Sequence, residues 1–571
     1  MRGHEAILRQ FECSGFRHMF GNPGTVEQGM LDAISEIPSI EYVLTLQESI
    51  AVLCADGYAR ASRSPALVQI HSSPGLGNAI GNLYQAKRGQ SPLVVIGGDA
   101  GIRYQAMDSQ MAADLVAMAE PVTKWSAMVM HPSSLLRMVR RAIKVASTPP
   151  CGPVYLCVPQ DILNEEITEQ VYAQKPLVFC SQANQATIES IIDLITKAKN
   201  PIFLVGDGVA WSEATDELVT LAERVGARVY EADGGEVNFP ETHQLYFGST
   251  GHMFGDYSLK ITTDCDFCLA IGCYLLPEVF PHLGDIFSAG TKVVHIDANP
   301  DNIAKNHRVD HGIVGDPKGV INQIIVALDK YGEVAGFDDI SAFNHEKRKA
   351  QPDTVESIYS VDLSVPDSEY DSGRKYMASG YFFQKLGELC PENTIIFDEA
   401  LTNSPPITKY IPADKLGCKL WTRGGSLGSG FPGAIGIKLA KPESEVIGVS
   451  GDGGCMYTIQ CLWTAARHSV AAKFIVCQNR SYRLLQANIK QFWMSQGINE
   501  HSYPLCFDLS RPEISFEDLA KGMGVEAERV WKPSQVSSAI QRLLNSERPY
   551  LINLVLEGDV HPELIGVHCG Q

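Results

Sequence analysis

The stretch EVIGVSGDGGCMYTIQCLWTAARHSVAAKFIVCQNRSY, residues 445–482, carries the reading of the fold. An apolar run (445–450) stops at Gly451-Asp452-Gly453-Gly454. A helix-like stretch follows (457–468), and a second apolar run ends in Asn479. Strand, glycine turn, helix and strand in that order make one unit of a parallel sheet, because parallel neighbours need a crossover connection. Glycines at the strand end let backbone N–H groups come close to an anion, and the helix N-terminus adds a favourable dipole for phosphate. Asp452 and Asn479 are each expected at the C-terminal end of a strand, on the rim where open α/β sheets bind ligands. A carboxylate and a neutral amide oxygen, completed by phosphate oxygens and water, suit octahedral Mg²⁺.

The same alternation extends along the chain and predicts three α/β blocks, each a doubly wound parallel sheet. The first covers 1–165, with strand-like EYVLTL, ALVQIHS, SPLVVIGG and GPVYLCVP. The second covers 187–335, with PIFLVGDG, ARVYEAD, DFCLAIGC and KVVHIDANP. The third covers 373–571, with NTIIFDE, SEVIGVSGDGG, AAKFIVCQN and PYLINLVLEG. Residues 166–186 read as a linker, and the polar stretch 336–372 as a long connector.

Composition bounds the function. The 571 residues carry 66 acidic and 47 basic side chains, a net charge of −19. Such a surface repels phosphate backbones, so nucleic acid is not an expected partner. Any phosphorylated ligand has to be held by local dipoles or a metal. No uncharged apolar run approaches 18 residues, so no membrane span is expected, and the N-terminus lacks the apolar core of a secretory signal. Fifteen scattered cysteines, many in apolar segments, read as reduced thiols of a cytoplasmic protein. Cys265 and Cys268 form a lone CxxC with no second pair to complete a zinc site.

The metal motif resembles that of thiamine-diphosphate-dependent enzymes, in the branch holding benzoylformate decarboxylase, pyruvate decarboxylase and acetolactate synthase. The resemblance covers residues 1 to about 560. It implies that Asp452, Asn479 and the backbone carbonyl of Ser481 ligate Mg²⁺, with Gly451, Gly453 and Gly454 against the diphosphate. FGNPGTVEQ (20–28) and YVLTLQESIAVLCADGYARAS (42–62) look like the family's pyrimidine domain, with Glu48 as its central acid. Hydrogen-bonded to N1′ of the aminopyrimidine, that carboxylate favours the imino tautomer, whose 4′-nitrogen takes the C2 proton and creates the ylid. Burying Glu48 in an apolar run calls for a partner.

Further matches imply further roles. His71, in HSSPGLGNAIGNL, matches the active-site histidine of the benzoylformate decarboxylase branch, where acetolactate synthases carry none. In GGSLGSGFPGAIGIKLA (424–440), Leu427 would prop the cofactor into its bent form and the Gly425 carbonyl would accept from the 4′-amino group. Thr402, in DEALTNS, would reach the diphosphate. Thr25 stands where that branch places a serine on the substrate carboxylate, and His282, in LLPEVFPHLGD, falls near its second histidine. Leu484 and Leu485 would line an apolar substrate pocket, with Arg480 and Arg483 as surface or interface charges.

The middle block resembles the family's central domain. It has no distinctive FAD signature, and its GDGV (206–209) is a weak motif, so FAD is not expected. The implied reaction is decarboxylation of a 2-oxo acid through ylid and enamine to an aldehyde; the alternative is a carboligase passing the enamine to a second carbonyl. The family's subunit arrangement implies a homodimer or homotetramer with the cofactor across the interface.

Overall fold

The computed structural model describes residues 1–175, 177–232, 234–276, 278–331, 342–346, 354–558 and 560. Parts of the predicted connector, and the chain end beyond 560, lie outside the described residues.

Three six-stranded sheets form, every pairing within them parallel, with helices on both faces. Numbering the strands of each sheet along the chain, the first and third share the order 2-1-3-4-6-5. The central sheet runs 6-5-4-1-2-3, the doubly wound order found in dinucleotide-binding folds. The expected repetition of three like units therefore resolves into two of one topology flanking one of another. Their inner strands are fully buried on both faces: Leu93–Asp99, Phe267–Ile271 and Lys473–Gln478 have no exposed residue. This is why they read as continuous apolar runs rather than alternating ones.

The predicted connector is more structured than its polarity suggests. Helices Thr354–Tyr359 and Asp367–Asp371 lie within it. Tyr359 and Tyr370 bury their rings, the latter in the core of the third unit. Two aromatic anchors in a charged stretch are too sparse for a helical period to show in the sequence.

The first and third units meet through two helices, Glu48–Ser62 and Gly430–Ala440. Gly57 and Gly436 permit it, since a Cβ at either would strike the carbonyl of Gly433 or Cys54 on the facing helix. The central unit is tied in by buried charges. Arg60 Nε lies 2.9 Å from Glu236, and Arg60 also donates to the carbonyls of Trp421 and Gly235. Asp207, from the GDGV motif, accepts from the N–H groups of Gly235 and Glu236 at 2.8 and 3.0 Å and lies 3.2 Å from Arg423. The aspartate of this second GDG is thus a junction residue, facing a guanidinium just ahead of Gly424-Gly425.

Glu231, at the end of the strand Arg228–Glu231, is buried without a cation among its main influences. Burial first, and then the charge of Glu241, push its carboxyl from an ordinary 4.5 up to about 8. A raised value means that the fold favours the protonated form. That contribution is complete below about 4.5 and is lost as pH rises through about 8. The melting temperature is expected to fall between pH 6 and 9, with a smaller fall in Glu231→Gln. Thermal unfolding across pH checks it, and equal slopes for both proteins would refute it.

Candidate active site

At the rim of the third sheet, the strand Val446–Gly451 delivers Asp452 into a short helix, Asp452–Cys455. The strand Lys473–Gln478 delivers Asn479 beside it. Asp452 Oδ1 accepts from the Gly453 N–H at 2.9 Å and Oδ2 from the Arg480 N–H at 2.5 Å. Asn479 Oδ1 accepts from the Ser481 N–H and hydroxyl at 2.9 and 3.2 Å. Arg480 sits at φ +62°, which turns its N–H back to Asp452. Gly453 is required here, because a Cβ would enter the ring of Tyr482; Gly451 faces open space. Burial pushes the Asp452 carboxyl up to about 6 against these donors, leaving a buried acid on the same rim as the Asn479 amide oxygen.

Around Leu427 the backbone is shaped by Gly424, Gly425 and Gly428, at φ +69°, +74° and +87°. Glu399, absent from the sequence reading, holds this loop. Its buried carboxylate accepts from Gly428 N–H (2.5 Å), Gly430 N–H (2.8 Å) and the Ser450 hydroxyl (3.0 Å). One side chain therefore links the end of the first strand of this sheet, Ile395–Glu399, the Leu427 loop and the residue ahead of Gly451. Gly425 faces open space. Thr402 lies half-buried, its carbonyl accepting from the Tyr359 hydroxyl. The neighbouring Asn403 is 1% exposed, and its amide nitrogen and oxygen have no partner among the described residues.

The first unit gathers a second group. Glu48 opens the helix Glu48–Ser62 and is 4% exposed. Its partners are Asn22 (3.0 Å) and Asn78 (2.9 Å), each donating to one carboxylate oxygen. Asn82, one turn beyond Asn78 on the helix Ser72–Arg88, donates to the Ser426 hydroxyl at 3.2 Å. That helix thus touches both the Glu48 group and the Leu427 loop. His71 precedes it, with Nδ1 3.0 Å from the buried Glu27 carboxylate. Burial pushes the Glu27 carboxyl up, and His71 pulls it back. Exposed Thr25 opens the same short turn, Thr25–Glu27, and Gly24 leaves room for the His71 ring. Glu27 and Glu399 were invisible to spacing because each reaches its partner across the fold.

His282 belongs to the central unit, with Nδ1 3.9 Å from Asp256. Asp256 and Leu485 line one cavity of about 920 Å³ between the central unit and the helix Arg483–Ser495. Leu484 instead packs against Tyr359. Of the two arginines expected as surface or interface charges, Arg483 is buried, a correction, and Arg480 is half-buried. Arg483 opens the helix Arg483–Ser495, is 3% exposed and pairs with Glu557 at 2.9 Å, an ion pair that offsets its burial. Arg480 lies over the Tyr376 ring and donates to the Leu556 carbonyl. Cys265 and Cys268 are buried free thiols, Cys265 pushed up to about 12, the reverse of a metal-ligating thiolate. No group of three or more His, Cys, Asp or Glu side chains suited to a metal occurs among the described residues.

The residues of both rims fit a thiamine-diphosphate cofactor. The matching family models are the thiamine pyrophosphate enzyme N-terminal TPP-binding domain (residues 1–118), central domain (188–324) and C-terminal TPP-binding domain (409–554). The chain belongs to the thiamine pyrophosphate enzyme family. This thiamine-diphosphate enzyme is 29% identical to a "probable acetolactate synthase large subunit" of Methanocaldococcus jannaschii, over 98% of this chain and 92% of the relative. It is 27% identical to a benzoylformate decarboxylase of Pseudomonas aeruginosa, over 96% and 98%. Its fold is similar to that of the thiamine diphosphate-dependent 4-hydroxybenzoylformate decarboxylase of Rhodococcus jostii. The TM-score is 0.84 at 23% identity, covering 98% of this chain and all of that one. No helix among the described residues is long and apolar enough to cross a membrane.

Proposed function

We propose that the chain is a thiamine-diphosphate- and Mg²⁺-dependent decarboxylase that releases CO₂ and an aldehyde from a 2-oxo acid. The observation that carries this reading is His71 on the Glu27 carboxylate beside Thr25, a proton-transfer pair next to a hydroxyl able to hold the substrate carboxylate. Asp452, Asn479 and the Ser481 carbonyl would hold Mg²⁺, and Gly451, Gly453, Gly454, Thr402 and the Asn403 amide, unpartnered among the described residues, would face the diphosphate. The Gly425 carbonyl and Leu427 hold the aminopyrimidine ring. Glu48 holds a proton at N1′. When bound, the cofactor supplies an electron sink for the carbon that loses CO₂. His71 would deliver the proton that makes the aldehyde, and His282 stands beside Asp256, which lines the cavity on the central-unit side. A homodimer or homotetramer of a cytoplasmic protein completes this reading, with Glu48 of one protomer serving the metal rim of its partner.

Similarity to acetolactate synthases at a comparable level favours a second outcome, transfer to a second carbonyl. Incubation with 2-oxo acids, cofactor and Mg²⁺ separates them. Aldehyde is expected to match CO₂ one for one, and accumulation of hydroxyketone in its place establishes the carboligase. Glu27→Gln removes the carboxylate behind His71 and is expected to lower kcat roughly tenfold to a hundredfold, less than loss of a direct proton donor. Steady-state rates check this, and an unchanged kcat separates Glu27 from the chemistry.

A further inference from the structure

We infer that the trough along the helix Arg483–Ser495 seats the side chain of the substrate, and that it takes an extended, unbranched apolar chain. The inference rests on the decarboxylase reading only for the identity of the reacting head group.

The trough is a two-domain feature. One wall is Phe254 and Phe280 of the central unit, whose rings stack at 5.4 Å and 18°. The other is Leu485, Ile489 and Phe492, spaced four and three apart so that they share one helix face. Phe280 is 58% exposed, Phe492 54% and nearby Met494 78%. Large side chains left this open mark a binding surface more often than a bare exterior.

Its inner end adjoins the metal loop. The Tyr482 N–H donates to the carbonyl of Phe507, which also lines the trough, and the ring of Tyr482 lies against Gly453. Tyr482 thus lies between Gly453 and the trough wall at Phe507, three residues beyond Asn479. The volume, about 920 Å³, is far larger than a two- or three-carbon acid fills and sits within the range of sites for extended ligands. From Leu485 to Phe492 the helix rises about 10 Å, longer than one phenyl ring. Among the described residues, Lys260 and Asp256 are the only charged ones lining it, opposite in sign, so the lining carries no net charge to pair with a charged tail.

Two measurements on the full chain test this. Decanoate binding is followed calorimetrically in the wild type, Ile489→Asp and Phe492→Asp, with particle mass checked for each. Across linear acids from 2-oxobutanoate to 2-oxodecanoate, kcat/KM is expected to rise roughly fourfold per methylene until the trough is filled. Decanoate is expected to bind saturably, and at least tenfold more weakly in either variant, whose chain-length dependence flattens. If decanoate binds in this pattern but no 2-oxo acid releases CO₂, the decarboxylase reading fails and the trough assignment stands. Decanoate binding that is absent, or equal in all three proteins, overturns the assignment. So does a preference for benzoylformate over 2-oxodecanoate, or a Phe492→Asp protein that falls to half the particle mass, which makes the trough an interface between copies.

Discussion

Glu48→Gln is expected to lower kcat for CO₂ release by roughly 10²- to 10⁴-fold, the span of a directly acting acid–base group, while the protein stays folded. The carboxylate is 4% exposed at the first turn of the helix Glu48–Ser62, and each oxygen accepts from one asparagine, Asn22 and Asn78. Glutamine has the same shape and keeps one acceptor. Its amide nitrogen then faces one of the two asparagine N–H₂ groups, at a cost of about 1–3 kcal/mol unless that asparagine turns its oxygen inward. Asparagine can do so, because its two ends differ little in size. The melting temperature should therefore move by only a few degrees. What glutamine cannot do is carry the negative charge that favours a proton on N1′. Initial rates, a thermal melt and cofactor affinity from tryptophan fluorescence separate these effects. A kcat within threefold of wild type would remove Glu48 from the chemistry.

The parts of this site that were legible in the sequence are those encoded locally. The strand–GDG–helix–strand–Asn unit rests on two short-range patterns, apolar runs and glycines, and the fold turns both into one rim. Glu48 was singled out by the family resemblance, since an acid in an apolar run fits a solvent-facing helix position equally well, and it is buried with two asparagine partners. Carboxylates that act at a distance did not show. Glu399 reaches Gly428, Gly430 and Ser450, 29, 31 and 51 residues on, and Glu27 reaches His71 44 residues away. Sequence spacing records nothing of such approaches. Asp207 shows the converse: GDGV looks like the metal motif, yet its aspartate turns toward Arg423 and the Gly235 backbone, because the neighbouring chain rather than the tripeptide fixes its partners. Arg483 read as a surface or interface charge because the first residue of a helix gives no sign of which way it faces, and the pairing with Glu557 became visible only with the last strand in place.

Asp452→Asn is expected to act in opposite directions on the metal-free and the loaded protein. In the metal-free fold, the Asp452 carboxyl is 3% exposed and pushed from 3.8 up to about 6, chiefly by burial. The fold then favours its protonated form, and its stabilising contribution is lost as pH rises through about 6. At pH 8 the buried charge costs about 3 kcal/mol by the usual conversion of such a shift. Asparagine removes that cost but turns its amide nitrogen toward either the Gly453 or the Arg480 N–H, forfeiting a bond of about 0.5–1.5 kcal/mol. The metal-free variant should therefore melt at or above the wild-type temperature at pH 8, and by a smaller margin at pH 5, where part of the cost is already relieved. With Mg²⁺ and thiamine diphosphate the order reverses. A cation bound to the carboxylate offsets the buried charge, and binding to the folded state alone raises the melting temperature. The variant lacks the charge, so its rise should be small and its Mg²⁺ affinity lower by roughly two orders of magnitude, about 3 kcal/mol. Melting curves at pH 5 and 8, with and without both ligands, read out all four states. A variant that keeps the full ligand-induced rise would place the metal elsewhere, because no other carboxylate of the Asp452–Asn479–Ser481 set could replace the lost charge.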